Sequence, residues 1–414
     1  TTLDKDLNDW AEAALDQRLR EVEKTPGYAH RKKADYDTAW DMATSAVETP
    51  YLQGAVAVLN NDTGGVLAVV GGRDYRQSKF NRATSGSRQI GSTVKPFVYA
   101  AGIQAGWMPG TLVSDDPLAP GEIFGADATW NPGNSDGRFT GLQPLAVGLV
   151  QSRNTMTIRV GNHAGLDRVM QTLGDVGLPG KQQSSPQVFI GNVTGNAYQI
   201  ASAYSTFPNE GLRKRPFFID QILDKNGQVL FKTGVMEVDV MSPGVTHVIR
   251  RMLAQVVDQG TAAVLRSEYG FKEKAGGKTG TTNGYRDAWF AGYSQAVTAA
   301  VWVGFDRAAT IVDEGYGSRL ALPVWADVMN RAVELGYVRQ NNRPDPPMSR
   351  VALCRHSSAL ATEGCHAEGC AYEDELPYEL VPGSFCHLHG GADAGASAEK
   401  RGPTMWQRVR RWFD

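Results

Sequence analysis

The stretch "DAWFAGYSQAVTAAVWVGFD", Asp287 to Asp306, constrains the fold more than any other part of the chain. It is rich in aromatic and β-branched residues, which suit a pleated, packed surface, and it breaks once, at Gly292-Tyr293-Ser294-Gln295, as a hairpin would. A second hairpin signal lies at "GAVAVLNNDTGGVLAVVGG", where two apolar runs flank Asn60-Asn61-Asp62-Thr63-Gly64-Gly65, residue types that accept positive φ. Helical patterns fill the middle of the chain. Strands early, helices between and strands late predict a mixed sheet in which the first and last strand segments pair.

Residues 3 to 23, "LDKDLNDWAEAALDQRLREVE", repeat Leu3, Leu7, Trp10, Ala14, then Leu15 and Leu19 at helical spacing, which predicts a helix packed on a neighbour. The run "GSTVKPFVYAAGIQAGW" predicts a helix from Ser92 to near Gly106, with Pro96 tolerated because it falls in the first turn. Further helices are predicted in "LQPLAVGLVQSRNTMTIRVGNHAG", "AYQIASAYSTFPNEG" and "THVIRRMLAQVVDQG", and a small strand excursion over 213–240. From Asn341 the composition changes to a Pro-rich polar linker, a Cys-rich segment, a flexible "GGADAGASAEKRGP" and the end "TMWQRVRRWFD". That end sets Trp406, Val409, Trp412 and Phe413 opposite Arg408 and Arg411, as a short helix docked on the protein's own surface would. The predicted organisation is 1–50 N-terminal linker helices, 51–340 a main domain, 341–390 a Cys-rich module and 391–414 a flexible tail with a short amphipathic helix.

A formal net charge of −2 argues against nucleic acid as a partner held by bulk electrostatics. No apolar run reaches the length of a membrane span, and the chain has neither an initiator Met nor a signal peptide, which predicts a processed or trimmed part of a longer protein. Cys354, Cys365, Cys370 and Cys386 are clustered and even in number, which favours disulfides of unknown pairing in an oxidising compartment. Zinc is the competing reading, because His356, His366, His387 and His389 lie among them. The closest cysteine pair, Cys365 and Cys370, has four residues between rather than two, so no metal is expected.

The segment "KAGGKTGTTNGYRDAWF" carries Gly277-Lys278-Thr279, which resembles the end of a phosphate-binding loop. That loop needs glycine where this chain has Lys272, and the lead-in "SEYGFKEKAGG" is mostly polar rather than an apolar strand, so a nucleotide site is rejected and no cofactor is expected. Lys278-Thr279-Gly280 instead reads as a strand edge, with Gly276 and Gly277 allowing close backbone approach. Ser92 and Lys95, three apart at a helix start, form a Ser-x-x-Lys pair in which the amine can take the serine proton. Ser152-Arg153-Asn154 is the single Ser-x-Asn in the chain and falls between two predicted helices. A hydroxyl there can relay protons, and the amide can bind a peptide. Each triplet alone is weak. Ser-x-x-Lys recurs at Ser397–Lys400 in the predicted flexible tail, and Lys-Thr-Gly recurs at Lys232-Thr233-Gly234, which reads as an exposed hairpin tip.

In this order and these contexts the three triplets match the set of penicillin-binding proteins and class A β-lactamases. The chain resembles the transpeptidase domain of a class A penicillin-binding protein through "VVGGRDYRQSKFNRAT", "GSTVKPFVYAAG", "SRNT", "GKTGTTNGYRDAWFAGY" and the tail "VALCRHSSALATEGC…VPGSFCHLH". The resemblance implies an α/β (α+β) fold, a mainly antiparallel sheet flanked by helices with an all-helical lobe. It implies that Ser92 attacks the D-Ala–D-Ala carbonyl of a peptidoglycan stem peptide, with Lys95 as base and Ser152 as proton relay. Asn154, Thr279, Gly280 and Thr281 would bind substrate, Lys278 would supply positive potential, and the Ser92 and Thr281 N–H groups would form the oxyanion hole. It also implies β-lactams as covalent inhibitors and cell-wall assembly proteins and a glycosyltransferase domain or protein as partners. The implied location is extracytoplasmic, with a membrane tether in an N-terminal part that precedes this sequence. Arg153 replaces the Asp of the Ser-Asp-Asn pattern, which fits the transpeptidases better than the β-lactamases, and Cys370 departs from the tail pattern. A carboxypeptidase or β-lactamase on the same fold is the near alternative, and a non-catalytic peptidoglycan-binding scaffold the distant one.

Overall fold

The structure, a computed structural model, describes residues 1–40, 46–179, 185–338 and 344–390. The predicted tail helix and the second Ser-x-x-Lys fall outside the described residues. The two hairpins meet in one five-stranded antiparallel sheet of β1 (Gln53–Asn60), β2 (Val66–Val70), β3 (Ala275–Thr281), β4 (Asp287–Ser294) and β5 (Val297–Gly304), in the order β3-β4-β5-β1-β2. The predicted pairing of first and last segments is the β1–β5 ladder, from Gln53 opposite Gly304 to Asn60 opposite Val297. β3 lies at the sheet edge.

The β4–β5 turn falls at Gln295-Ala296, two residues beyond the break expected from Gly292. Gly292 sits inside β4, where a Cβ would come 3.0 Å from the Gly276 carbonyl and 3.1 Å from the Trp325 ring. It is glycine because a helix packs on it, not because the chain turns there.

The helices that cover the sheet, carry the site or support the C-terminal module are α1 (Lys5–Val22), α2 (Lys95–Gln104), α3 (Leu145–Val150), α4 (Asn154–Ala164), α5 (Ala197–Tyr204), α6 (Pro243–Asp258), α7 (Leu322–Glu334) and α8 (Glu363–Ala367). Every residue of β4 and β5 is buried, which requires cover on both faces. Trp325 of α7 packs edge-on to Phe290, whereas Leu253 of α6 and Phe207 after α5 approach Tyr293, and alternate strand residues face opposite sides. α2 is buried along its whole length to Ile103 and packs against α4 and α6 in the helical lobe.

α1 belongs to the core rather than to a linker: Leu7, Ala11, Leu15, Leu19 and Val22 are buried and pack with the sheet and α7. Trp10, expected on the buried stripe, is exposed and lies under the Arg331 guanidinium. Arg73 locks α1 to the β2 end, donating to Glu23 at 2.5 Å and to Asp16 at 2.8 Å from a fully buried side chain. Arg82 does the same for the strand ends by pairing with Asp306 at 2.6 Å. In the loop between β2 and α2, Arg82 and Arg88 are largely enclosed and paired with Asp306 and Asp287, whereas Arg76 and Lys79 are exposed. The 213–240 excursion forms four short strands, and Lys232-Thr233-Gly234 lies at the open, exposed end of its hairpin rather than at the tip.

Removing one partner of a buried pair strands the other's charge. Arg73→Ala is expected to lower unfolding free energy by about 3–5 kcal/mol, read as a lower urea midpoint with an unchanged slope.

Candidate active site

Ser92 sits in a one-turn 3-10 helix, Gly91–Val94, that runs into α2, so Lys95 begins the α-helix proper. The turn is gripped from several sides. Gly91 has φ +54°, and a Cβ there would fall 2.9 Å from the Thr281 carbonyl oxygen. Gly280 faces the turn, since a Cβ at that position would come 2.7 Å from Thr93 Cγ2 and 2.8 Å from the Ile90 carbonyl oxygen. Tyr204 donates to the Thr93 carbonyl at 2.7 Å, and the Trp289 indole donates to Gln89 at 2.9 Å. The edge strand β3 and the serine turn are thus in contact because Gly91 and Gly280 lack side chains.

Lys95 is completely buried, and its ammonium meets three neutral acceptors: the Ser152 carbonyl at 2.7 Å, Ser152 Oγ at 3.3 Å and Asn154 Oδ1 at 2.7 Å. Burial lowers its pKa well below the ordinary lysine value, and the Lys278 and Arg153 charges lower it further against the pull of Asp115. Lys278 is also fully buried; it donates to the Thr279 carbonyl at 3.2 Å and to Thr279 Oγ1 at 3.4 Å, and burial brings its pKa down to about 7.

Ser152 joins α3 to α4 with φ +60°, an uncommon conformation for a residue with a Cβ, and this turn aims its carbonyl at Lys95. Arg153 points away from Lys95's acceptors: its Nε donates to Asp115 at 3.0 Å and its Nη1 to Asp136 at 2.8 Å. Asn154 uses its amide within the protein, accepting from Lys95 and donating to the Gly133 carbonyl at 2.9 Å. Its role toward the lysine was not visible from spacing alone.

Asp115 and Asn134 complete this scaffold, and no motif marked either. Asn134 donates to Asp115 at 2.9 Å and accepts from the Asn154 N–H at 2.7 Å. Burial works to raise the Asp115 pKa, but hydrogen bonds from Arg153, Thr155, Asn134 and Thr140 outweigh it and bring the value down to about 2.

A cleft of about 620 Å³ is lined by Ser92, Ser152, Asn154, Thr279 and Thr281, with Tyr285 and Tyr316 among its other walls. Thr279 Oγ1 shares a hydrogen bond with Thr261 Oγ1 at 2.9 Å, and Thr281 Oγ1 accepts from the Gly317 N–H at 3.1 Å. Residues from three separate motifs therefore face one cavity. Gly280 serves the packing of strand on turn, which leaves only its backbone for any ligand. Gly276 and Gly277 also serve packing, making room for Tyr293, Leu253 and Phe290 rather than for a substrate.

Residues 54–330 match the family described as "Penicillin binding protein transpeptidase domain". The chain belongs to that family. This transpeptidase domain is 37% identical over 297 residues to penicillin-binding protein 1A of Neisseria lactamica, covering 70% of this chain and 37% of the relative. It is 34% identical over 342 residues to penicillin-binding protein 1A of Neisseria flavescens, covering 81% of this chain and 42% of the relative. The chain thus spans about two fifths of the length of these relatives. Among solved structures, the fold is shared with penicillin-binding protein 1A of Haemophilus influenzae, at TM-score 0.77 and 23% identity over 93% of this chain and 72% of that one. PonA1 of Mycobacterium tuberculosis in complex with penicillin V has the same fold, at TM-score 0.65 and 22% identity over 84% of this chain and 88% of that one. No helix among the described residues of the transpeptidase domain is long and apolar enough to cross a membrane.

A carboxylate with a depressed pKa stabilises the fold above its unfolded pKa, and that contribution is lost as pH falls through the folded value. The stability advantage of the parent over Asp115→Asn is therefore expected to be full at pH 5 and to shrink from about pH 4 toward about 2, as followed by urea unfolding across that range.

Proposed function

We propose that this domain cross-links peptidoglycan stem peptides by D,D-transpeptidation through a Ser92 acyl-enzyme. The observation that carries the proposal is a fully buried Lys95 held, among the described residues, by the uncharged acceptors of Ser152 and Asn154, which line one cleft together with Ser92 and the β3 threonines Thr279 and Thr281. Desolvation lowers the Lys95 pKa and so favours its neutral form, and a neutral amine is the base that a serine hydroxyl needs.

Ser92 Oγ attacks the carbonyl between the terminal D-alanines while its proton passes to Lys95 Nζ. The C–N bond of the tetrahedral adduct breaks, and Ser152 Oγ relays a proton from Lys95 to the leaving nitrogen, which departs as D-Ala. An amine from a second strand then attacks the Ser92 ester and loses its proton along the same route, and Ser92 is restored. Lys278 supplies positive potential, and the Thr279 and Thr281 hydroxyls bind the substrate's terminal carboxylate. Asn154 holds Lys95 in place and borders the donor peptide. The N–H groups of Ser92 and Thr281 receive the developing oxyanion, an arrangement supported by the tight stacking of Gly91 on the Thr281 backbone; losing one such donor costs about 3 kcal/mol. β-Lactams acylate Ser92 as mimics of the dipeptide, a reading supported by the penicillin V complex of PonA1. The domain works on the extracytoplasmic side, alongside a glycosyltransferase activity and a membrane tether supplied by neighbouring sequence or by partner proteins.

Ser92→Ala is expected to abolish covalent labelling by a fluorescent penicillin while the protein stays folded; labelling that persists would place the nucleophile elsewhere. Release of the label within seconds would instead identify a hydrolase. Lys95→Ala is expected to slow acylation by about 10²- to 10⁴-fold. The acylation rate should rise with pH as Lys95 loses its proton, along a limb below the ordinary lysine range. Lys278→Ala should shift that limb to higher pH, because the Lys278 charge helps to lower the Lys95 pKa. Stopped-flow acylation across the pH range checks both.

A further inference from the structure

The acyl-transfer chemistry leaves the Cys-rich module unused. Its framework is the antiparallel pair β6 (Met348–Cys354) and β7 (Ala371–Pro377), with α8 between them. Cys354 ends β6, Cys365 lies in α8, Cys370 directly precedes β7, and Cys386 and His389 come from the loop beyond β7. All four cysteines are buried and all are free thiols, in contrast to the disulfides favoured from sequence.

The thiols are gathered around one ring nitrogen. From Nδ1 of His389 the sulfur distances are 3.3 Å to Cys386, 3.4 Å to Cys354, 3.6 Å to Cys365 and 3.6 Å to Cys370. Hydrogen bonding cannot account for such a cluster, since a neutral imidazole nitrogen offers one lone pair and thiols are weak donors. A ligand shell accounts for it in dimension. With Zn–S near 2.3 Å and Zn–N near 2.0–2.1 Å, a tetrahedral angle puts each sulfur about 3.6 Å from the nitrogen. The donor atoms of Cys354, Cys365, Cys386 and His389 also lie within 4.8 Å of one another.

The surroundings are those of a metal site as well. The far ring nitrogen of His389, Nε2, lies 3.4 Å from a Glu368 carboxylate oxygen, which favours the tautomer that leaves Nδ1 bare toward the sulfurs. Thr362 Oγ1 donates to the His389 carbonyl at 2.6 Å and accepts from the Cys365 N–H at 3.4 Å, tying the two ligand segments together. The His356 N–H donates to Cys354 Sγ at 3.4 Å. Cys370 is the sulfur left over: its Sγ donates to the Cys365 carbonyl at 3.4 Å, and it forms a second group within the same radius with His389 and the exposed His356.

We propose that Cys354, Cys365, Cys386 and His389 hold one zinc ion in a tetrahedral Cys3His site. Three thiolates and an imidazole suit zinc among the abundant divalent metals, and four protein ligands leave no open position, so the ion is structural. Its place in the fold gives it a task. The module's own apolar core is small, built on Leu353 and Leu376 packed with Met108 of the main domain, and needs a staple. From the stapled module, the Arg355 carbonyl accepts from the Leu112 N–H at 2.8 Å and Ser358 Oγ meets Thr111 Oγ1 at 2.6 Å. Those contacts fix the start of the segment that carries Asp115, the carboxylate that holds Arg153 beside Ser152.

The full chain, without a polyhistidine tag and purified with mild reductant but no chelator, is expected to carry about one zinc per molecule by elemental analysis. Exchange with cobalt should give the visible bands of a tetrahedral ion and near-ultraviolet thiolate charge transfer. Cys386→Ser and His389→Ala should bring bound zinc to background, whereas Cys370→Ser should keep it. If the ligand variants fail to fold, the cobalt spectrum of the parent carries the test. A metal-free protein whose intact mass is short by two hydrogens per cysteine pair would overturn the proposal in favour of disulfides. Loss of zinc in Cys370→Ser with retention in His389→Ala would overturn the ligand set. Penicillin labelling of Ser92 is a separate readout, so failure of the metal site and failure of the catalytic reading are distinguishable.

Discussion

Two lysines buried without a carboxylate in direct contact are the constraint on which the rest of the structure depends. Lys95 and Lys278 are both fully enclosed, and every hydrogen-bond acceptor that their amines meet is neutral. An unpaired buried ammonium is costly, and the cost falls when the group gives up its proton. Burial lowers the pKa of both lysines, and the neutral acceptors around each amine satisfy its N–H groups. A carboxylate in place of Asn154 would favour the charged form of Lys95 and oppose the role as base proposed for it.

Keeping the nearest anion close but out of contact takes a dedicated scaffold. Asp115 is buried and spends its oxygens on Arg153, Asn134, Thr140 and Thr155, so it steers Arg153 and the Ser152 turn without touching Lys95. On the opposite wall the close contact of β3 with the serine turn rests on the missing side chains of Gly91 and Gly280. Each wall is backed by the core: α2 is enclosed by helices, and β4 is buried on both faces.

The sheet was legible because its strands are long, apolar and rich in β-branched residues, and the β1–β5 pairing follows from their order. The exact turn was less so, since glycine serves packing as readily as turning, as Gly292 shows. Trp10 was read from its place on a helical stripe, which failed because its neighbour Arg331 lies far away in the chain, and the burial of Arg73 and Arg82 carried no local signal, since it depends on the distant partners Glu23 and Asp306. Ser92, Lys95, Ser152, Asn154 and Lys278 could be found from spacing. Asp115 and Asn134 could not, since they lie in loops whose composition carries no chemical pattern. The Cys-rich module did hold an overlooked signal: Cys386 and His389 are three apart, a tight chelating pair with one member that is not cysteine.

The sequence by itself determined the long strands of the sheet, several of the helices and the types of group available for acyl transfer, though not the helix Leu322–Glu334 that covers one face. Those properties are local, written in periodicity and in short spacings within single elements. Only the tertiary structure decided that Ser92 meets the β3 edge, that Asn154 meets Lys95, and that four cysteines converge on His389. Convergence of distant segments, and the desolvation that lowers the pKa of Lys95, exist only once the core has closed around them.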